Sequence, residues 1–226
     1  IFVETRKSQS AQKRVSLLTS ITTPEKYSVY LLFFLVCFPL VVMADMSDNM
    51  QTEILAELKR LYPRQEGMDG VVISISQQRL LVLESGIPIH SYIISSSRYG
   101  AGSEEGSYKT PIGLHRIKKK IGDDAEPGTI FKSRVNTQQL AEIIHEPVVT
   151  NDDFVTSRIM WLDGQEEGLN KGLGIDSFDR YIYIHGTHEE GLLGQPASKG
   201  CIRMFNADVI ELYQLLPVGT PVIILP

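Results

Sequence analysis

Residues Tyr181 to Met204 read YIYIHGTHEEGLLGQPASKGCIRM and constrain the chain more tightly than any other stretch. Tyr181-Ile182-Tyr183-Ile184 alternates aromatic and β-branched residues, the pattern of a strand with one buried face. That strand ends on His185 and Gly186. A polar loop bearing Gly and Pro runs from Thr187 to Ala197 and returns at Ser198-Lys199-Gly200-Cys201-Ile202-Arg203-Met204. A histidine and a cysteine are therefore held 16 positions apart, bracketed by glycines that let backbone approach a ligand closely.

The chemistry this suggests is an activated thiol. A free cysteine has a pKa of about 8.5, so little of it is thiolate at neutral pH. A neighbouring imidazole either takes the proton during attack or holds the pair as thiolate and imidazolium. Gly200 leaves room for backbone N–H groups to face a developing oxyanion. Arg203 carries a planar fork that suits a carboxylate, either of a substrate or of the loop it would brace. Taken singly, Cys201 would read as a buried structural thiol and His185 as a satisfied strand-end histidine. The combined order of motifs favours nucleophile and base. A metal site of His185, His188 and Cys201 is disfavoured, because the two histidines lie three apart across a strand–loop junction and no carboxylate pair has ligand spacing.

At these residues the chain resembles the L,D-transpeptidase catalytic domain family of the YkuD type. The family signature is a His-Gly pair, a loop of a dozen or so residues, then Ser/Thr-His-Gly-Cys-apolar-Arg. The matching residues are His185, Gly186, Ser198, Gly200, Cys201 and Arg203, while Lys199 stands where the family usually has histidine. The resemblance implies that Cys201 is the nucleophile, His185 the general base and Gly186 the backbone group that orients it, with Gly200 in the oxyanion region. Arg203, Ser198, Thr187 and Lys199 are the implied substrate contacts. The implied substrates are peptidoglycan stem peptides, cross-linked or trimmed through a thioester acyl-enzyme, with no cofactor and no metal. The same Cys–His chemistry would serve an L,D-carboxypeptidase or a wall-link hydrolase. A non-catalytic wall-binding module is the remaining alternative.

Composition bounds the rest. The chain has 226 residues and a formal net charge of −5, enough for one well-cored domain with appendages. Residues 1–44 carry five Lys/Arg and two acidic residues, so the remainder holds 17 basic and 25 acidic residues. An acidic body argues against a nucleic-acid partner. Val29 to Ala44 has no charge in 16 residues and follows Lys26. It reads as a signal peptide cleaved after Ala44, or as an uncleaved anchor that would be the only membrane contact. Export to the periplasm or the cell-wall side of the cytoplasmic membrane follows. With Cys37 in the removed segment, the mature chain would keep one cysteine, Cys201.

The expected organisation is an N-terminal extension over 1–44, an amphipathic helix and linker over 45–69, and a catalytic domain over 70–226. Met50, Ile54, Leu58 and Leu61 form one helical stripe after Ser47 or Asp48, with Pro63 beyond the end. Val71–Ser76, Arg79–Glu84 and Ile87–Ser95 form a three-strand meander. Further strands are expected at Leu114–Ile117, Thr156–Leu162 and Val222–Leu225. Ile121 to Arg134 reads as loop. Asn136 to Glu146 has Leu140, Ile143 and Ile144 at helical spacing, and Asn206 would cap a helix over Ala207–Leu216. Lys118-Lys119-Lys120 reads as a solvated basic face. The fold class is mostly β within an α+β frame, with a few short helices. The family resemblance extends through Gln78-Arg79-Leu80, Thr110-Pro111-Ile112-Gly113, Ser157–Leu162 and Asn170-Lys171-Gly172, and so implies a sandwich-like catalytic fold. Arg158 and Trp161 are its second-tier candidates for substrate contact.

Overall fold

The computed structural model describes residues 48–226. The apolar targeting segment expected over 29–44 lies outside the described residues, and among the described residues no helix is long and apolar enough to cross a membrane. A first helix, α1, covers 48–61. It is followed by β1 (Gly70–Ser74), β2 (Arg79–Glu84), β3 (Ile87–Ser95), β4 (Gly113–Ile121), β5 (Thr129–Lys132), β6 (Val135–Leu140), β7 (Val155–Gly164), β8 (Tyr183–Thr187) and β9 (Ile202–Met204). Helix α2 (Asn206–Leu215) and strand β10 (Pro221–Leu225) complete the chain.

The strands form one sheet in the order β4-β10-β1-β2-β3-β9-β8-β7-β5-β6, and an additional β4–β7 pairing closes it on itself. The β1–β10 and β8–β9 pairs are parallel and the rest antiparallel. Closure gives most strands two covered faces, so alternation sorts residues between two apolar layers rather than between core and water. Val71, Ile73, Leu80, Val82, Ile184, Ile202, Val222 and Ile224 point inward to the main core, joined by Val209, Leu212 and Leu216 of α2. Their neighbours Val72, Leu81, Leu83, Ile223 and Leu225 point outward and are covered by Ile54 and Leu58 of α1. A third cluster lies on the outer face of β7 and β8, with Ile159, Trp161, Tyr183, Phe131 and Ala125, and Cys201 packs against it.

The fold is mostly β, as expected, and the meander and the C-terminal helix and strand are present; the α1 stripe packs through Met50, Ile54 and Leu58, whereas Leu61 is exposed. Two expectations are corrected and a third is refined. Asn136–Glu146 is not a helix: β6 occupies Val135–Leu140, paired antiparallel with β5, and irregular chain follows. Ile144 instead donates its N–H to the His188 carbonyl and accepts from Gly191 N–H, so tertiary partners override a weak helical period. The second correction is the hairpin itself. Its two-residue loop, Ser133-Arg134, has positive φ at both positions (48° and 69°), where Asn-Gly is the usual sequence. Nothing in Lys-Ser-Arg-Val announces such a turn. Third, β4 runs on through the three lysines; Lys118 and Lys119 are exposed, as a solvated face requires, and Lys120 is partly buried. Lys118 pairs with Asp163 at 3.2 Å and lies over the Phe178 ring, while Lys120 donates to the Tyr213 and Leu216 carbonyls at the end of α2.

Helix α1 covers the outer face of β1, β2 and β10 rather than that of β7 and β8, so its packing should be separable from the chemistry of Cys201. Ile54→Ala should cost about 2–5 kcal/mol of stability, the usual toll of truncating a buried isoleucine. Urea unfolding followed by circular dichroism should show the lower midpoint, with the rate of Cys201 alkylation in the folded variant unchanged.

Candidate active site

The β7–β8–β9 register brings the sequence motif together. Ile159 lies opposite His185, and Trp161 opposite Tyr183, across the antiparallel β7–β8 pair. Ile184 pairs with Ile202 and His185 with Arg203 across the parallel β8–β9 pair. By alternation, Tyr183, His185, Cys201 and Arg203 share the outer face, while Ile184, Ile202 and Met204 fill the core behind them. Cys201 sits at the entry to β9. Its thiol donates to the Tyr181 carbonyl at 3.4 Å and accepts from the Tyr183 N–H at 3.4 Å.

His185 is almost fully buried. Its Nδ1 lies 2.7 Å from the Gly186 carbonyl oxygen. A carbonyl only accepts, so Nδ1 carries the proton and Nε2 is left with its lone pair free. Gly186 must be glycine here: a Cβ would press on Asn206 Oδ1 and the Thr156 carbonyl at 2.6 and 2.8 Å. Asn206 is the buried hub behind it. Its Oδ1 accepts from Thr156 and Ser157 at 2.7 and 2.6 Å, and its Nδ2 donates to the Thr187 carbonyl and Glu190 at 2.8 and 2.7 Å. Asn206 therefore opens α2 from within it, and the flanking N-cap position belongs to Phe205, which corrects its reading as the helix cap.

The loop before Cys201 is held from three sides. Ser198 Oγ donates to the Cys201 carbonyl at 2.6 Å and accepts from Gly200 N–H at 3.2 Å. Thr110, of the Thr-Pro-Ile-Gly segment, donates to the Gly200 carbonyl at 3.0 Å and accepts from Ser97 N–H. Gly200 has φ +122°, a conformation that disfavours any side chain. Arg180 pins the same wall by donating to the Lys109 carbonyl at 2.8 Å.

Arg203 is 1% exposed and charged. It donates to Glu189 at 2.8 Å through Nη1 and to Asp153 at 2.5 Å through Nη2. Both partners are the protein's own carboxylates. Lys199 stands on the surface, 3.9 Å from Asp153. Thr187 is buried, and its hydroxyl accepts from Glu189 N–H. Arg158 donates to the Ala125 carbonyl, and Trp161 stacks on Phe178 with its indole N–H on the Phe178 carbonyl, so both are packed internally. His115 is likewise enclosed between the Gly113 carbonyl and Ser177.

Two site residues were invisible in the sequence. Asp153 lies on the irregular chain before β7, and Glu189 looked like one acid among many. Only their convergence on Arg203 marks them. Arg134 was missed as well: it overhangs the outer face from the β5–β6 turn, 3.2 Å from the Tyr183 hydroxyl. Beneath it lies a cleft of about 370 Å³ lined by Phe131, Arg134, Val155, Ile159, Tyr181 and Tyr183.

Electrostatics keep the Cys–His pair neutral. Burial pushes the Cys201 thiol up to about 12; the Tyr183 N–H opposes this, Asp153 adds to it, and Arg203 and Arg180 oppose it. Burial pushes His185 down to about 4, against the Gly186 carbonyl and Asp153, which favour its charged form. Burial also raises Asp153, but Arg203, His185 and Lys199 outweigh it and hold the carboxyl below its ordinary range. Burial thus favours the neutral form of both groups, thiol and imidazole.

The model of the family described as YkuD, L,D-transpeptidase catalytic domain, matches residues 69–224. A Bacillus subtilis protein named "Putative L,D-transpeptidase YqjB" is 48% identical over 54 residues, 24% of this chain and 31% of that protein. YkuD of the same organism is 56% identical over 41 residues, 18% of this chain and 25% of that protein. The chain thus spans about a third or less of these relatives. The solved L,D-transpeptidase from Mycobacterium smegmatis superposes with a TM-score of 0.41 at 16% identity, covering 69% of this chain and 58% of that one.

A neutral resting pair has a direct signature. The alkylation rate of Cys201 by iodoacetamide should rise about tenfold per pH unit from pH 6 to pH 10 without a plateau, because it tracks a small thiolate fraction. A preformed thiolate–imidazolium pair would instead give a flat profile over that range. Arg203→Met should destabilise the fold by about 3–5 kcal/mol, because it leaves Glu189 and Asp153 uncompensated. In thermal melts the deficit should shrink as the pH falls, because Asp153, which Arg203 helps hold below its ordinary range, loses that stabilisation once it is protonated.

Proposed function

The chain belongs to the YkuD L,D-transpeptidase catalytic domain family, and from that premise we propose that it is a cysteine-dependent L,D-transpeptidase of exported peptidoglycan. The observation that carries the reading is the 2.7 Å bond from His185 Nδ1–H to the Gly186 carbonyl. It leaves Nε2 as a free base on the sheet face that bears Cys201.

As Sγ attacks the carbonyl carbon of an L-centred peptide bond, at the third residue of a stem peptide, its proton passes to His185 Nε2. The tetrahedral oxyanion faces backbone N–H groups at Cys201. Gly200 supports them through its conformation, since its own N–H is occupied by Ser198. The C–N bond then breaks, and the imidazolium proton goes to the departing amine of a terminal D-amino acid. What remains is a thioester. His185 takes a proton from an incoming amine, which attacks the thioester; the C–S bond breaks and the thiolate recovers a proton from the imidazolium. Arg203 acts as a brace, because its donors are directed at Glu189 and Asp153. Ser198 and Thr187 hold the loop rather than the substrate, and Lys199 offsets the Asp153 charge at the rim. The apolar segment over 29–44 supports export to the compartment that holds the wall.

The test is intact-mass analysis of the protein incubated with a disaccharide tetrapeptide, with and without an amine acceptor. A transient acyl adduct that is absent in Cys201→Ala, together with a dimeric product, is the expected outcome. His185→Ala should slow acylation by about 10²–10⁴, the usual worth of a positioned base. An adduct that resolves only to tripeptide would reassign the protein as a carboxypeptidase. No adduct in a folded protein would remove the enzymatic reading for this substrate.

A further inference from the structure

Arg134 is held over aromatic rings without a carboxylate to neutralise it. It occupies the second position of the β5–β6 turn with φ 69°, following Ser133 at φ 48°. Left-handed backbone at two consecutive non-glycine residues is strained, and such strain collects at ligand-binding sites. The turn aims the guanidinium inward over the cleft rather than out to water. Its carbon lies 4.7 Å from the Tyr181 ring centroid and 5.0 Å from that of Trp161, and Nη1 donates to the Tyr183 hydroxyl at 3.2 Å. Among the described residues no ion pair joins Arg134 to a carboxylate. By contrast, Arg203 on the same outer face is ion-paired with two carboxylates, Glu189 and Asp153.

The residues beneath Arg134 are those that touch the nucleophile. Tyr183 presents its hydroxyl to Arg134 and its N–H to Cys201 Sγ, and Tyr181 presents its ring to Arg134 and its carbonyl to the same sulfur. The cleft between them, about 370 Å³, has Arg134 as its only charged lining residue. A cation stacked on aromatic rings is partly desolvated, which strengthens its attraction for an anion, and a guanidinium fork fits a carboxylate in two-point contact.

We propose that Arg134 is a specificity-determining residue that binds a carboxylate of the donor peptide while its carbonyl sits at Cys201. The proposal rests on the transpeptidase reading. Two carboxylates of a stem peptide have this chemistry: one on the side chain of the residue being attacked, and the terminal one of the departing D-amino acid.

The experiment compares three synthetic donor tetrapeptides, one with both carboxylates free, one amidated on the side chain, and one amidated at the terminus. Acylation of Cys201 is followed by intact mass in the wild-type chain, Arg134→Gln and Arg134→Lys. One amidation should lower kcat/KM in the wild type by about 10- to 100-fold, the worth of one charge-assisted pair. Arg134→Gln should lose the same factor on the free acid and nothing further on that amide, and Arg134→Lys should recover part of the loss. Which amide is affected identifies the carboxylate. If the wild type acylates all three donors equally, or if Arg134→Gln slows all three by one common factor, the proposal is overturned while the transpeptidase reading stands. If no donor acylates, the transpeptidase reading fails, and dissociation constants measured on Cys201→Ala decide the proposal separately. A preference for one free acid that Arg134→Gln abolishes sustains it, and equal affinity for acid and amides removes it.

Discussion

Among the described residues Arg203 is the largest side chain that is fully buried, and it is charged. Burying a guanidinium is tolerable only when its donors meet carboxylates at close range, and Glu189 and Asp153 supply them from two different segments. Glu189 belongs to the loop after β8, and Asp153 to the chain that leads into β7. Glu189 also accepts from the Thr150 N–H and hydroxyl, at 2.6 and 2.9 Å. One side chain on β9 thus fixes three pieces of backbone around the Cys–His pair. The same chain that carries Asp153 packs against Gly191, where any Cβ would collide with the Glu146 carbonyl. The loop between the histidine and the cysteine is therefore clamped on both sides.

Burial that stabilises this arrangement also sets its chemistry. Desolvation outweighs every nearby charge at both Cys201 and His185, in opposite directions, and both consequences are the same: the neutral form is favoured. In the proposed mechanism, a half-buried thiol on the same sheet face as a buried neutral imidazole needs the base's tautomer to be right at the moment of attack, because no charge pair pre-orients it. The Gly186 carbonyl meets that need, and Asn206 keeps Gly186 in place by filling the space any side chain would take. Asp153 sits close enough to favour the imidazolium that forms during reaction, while Arg203 prevents its negative charge from dominating the thiol.

Much of this was legible from local pattern. Val71-Val72-Ile73, Leu80-Leu81-Val82-Leu83 and Val222-Ile223-Ile224-Leu225 read as strands because β-branched and aliphatic runs bounded by turns have few other uses. Their double-sided burial needed the closed sheet and α1. The candidate pair, Cys201 and His185, was also legible, since His-Gly and Gly-Cys at the ends of apolar strands leave backbone close to both side chains. The β5–β6 hairpin was not legible. Ser133 and Arg134 adopt left-handed backbone without the Asn or Gly that usually signals it, and Asn136–Leu140 is too polar to look like a strand. Its pairing partners, Val155 and Thr156, lie some twenty residues on.

The sequence by itself determined every strand except the β5–β6 hairpin, the helix that covers one face, and the cysteine and histidine that the sheet register then places on one face. All of these follow from periodicity and short-range backbone preference, and they are written in neighbouring residues. The tertiary structure alone decided that Arg203 faces protein carboxylates, that Lys199 stands at the rim beside Asp153, that burial favours the neutral thiol, and that Arg134 stacks over the cleft with no carboxylate partner among the described residues. Those outcomes depend on which distant charges converge and how much water they lose. Both are set by the closed sheet rather than by any local run of residues.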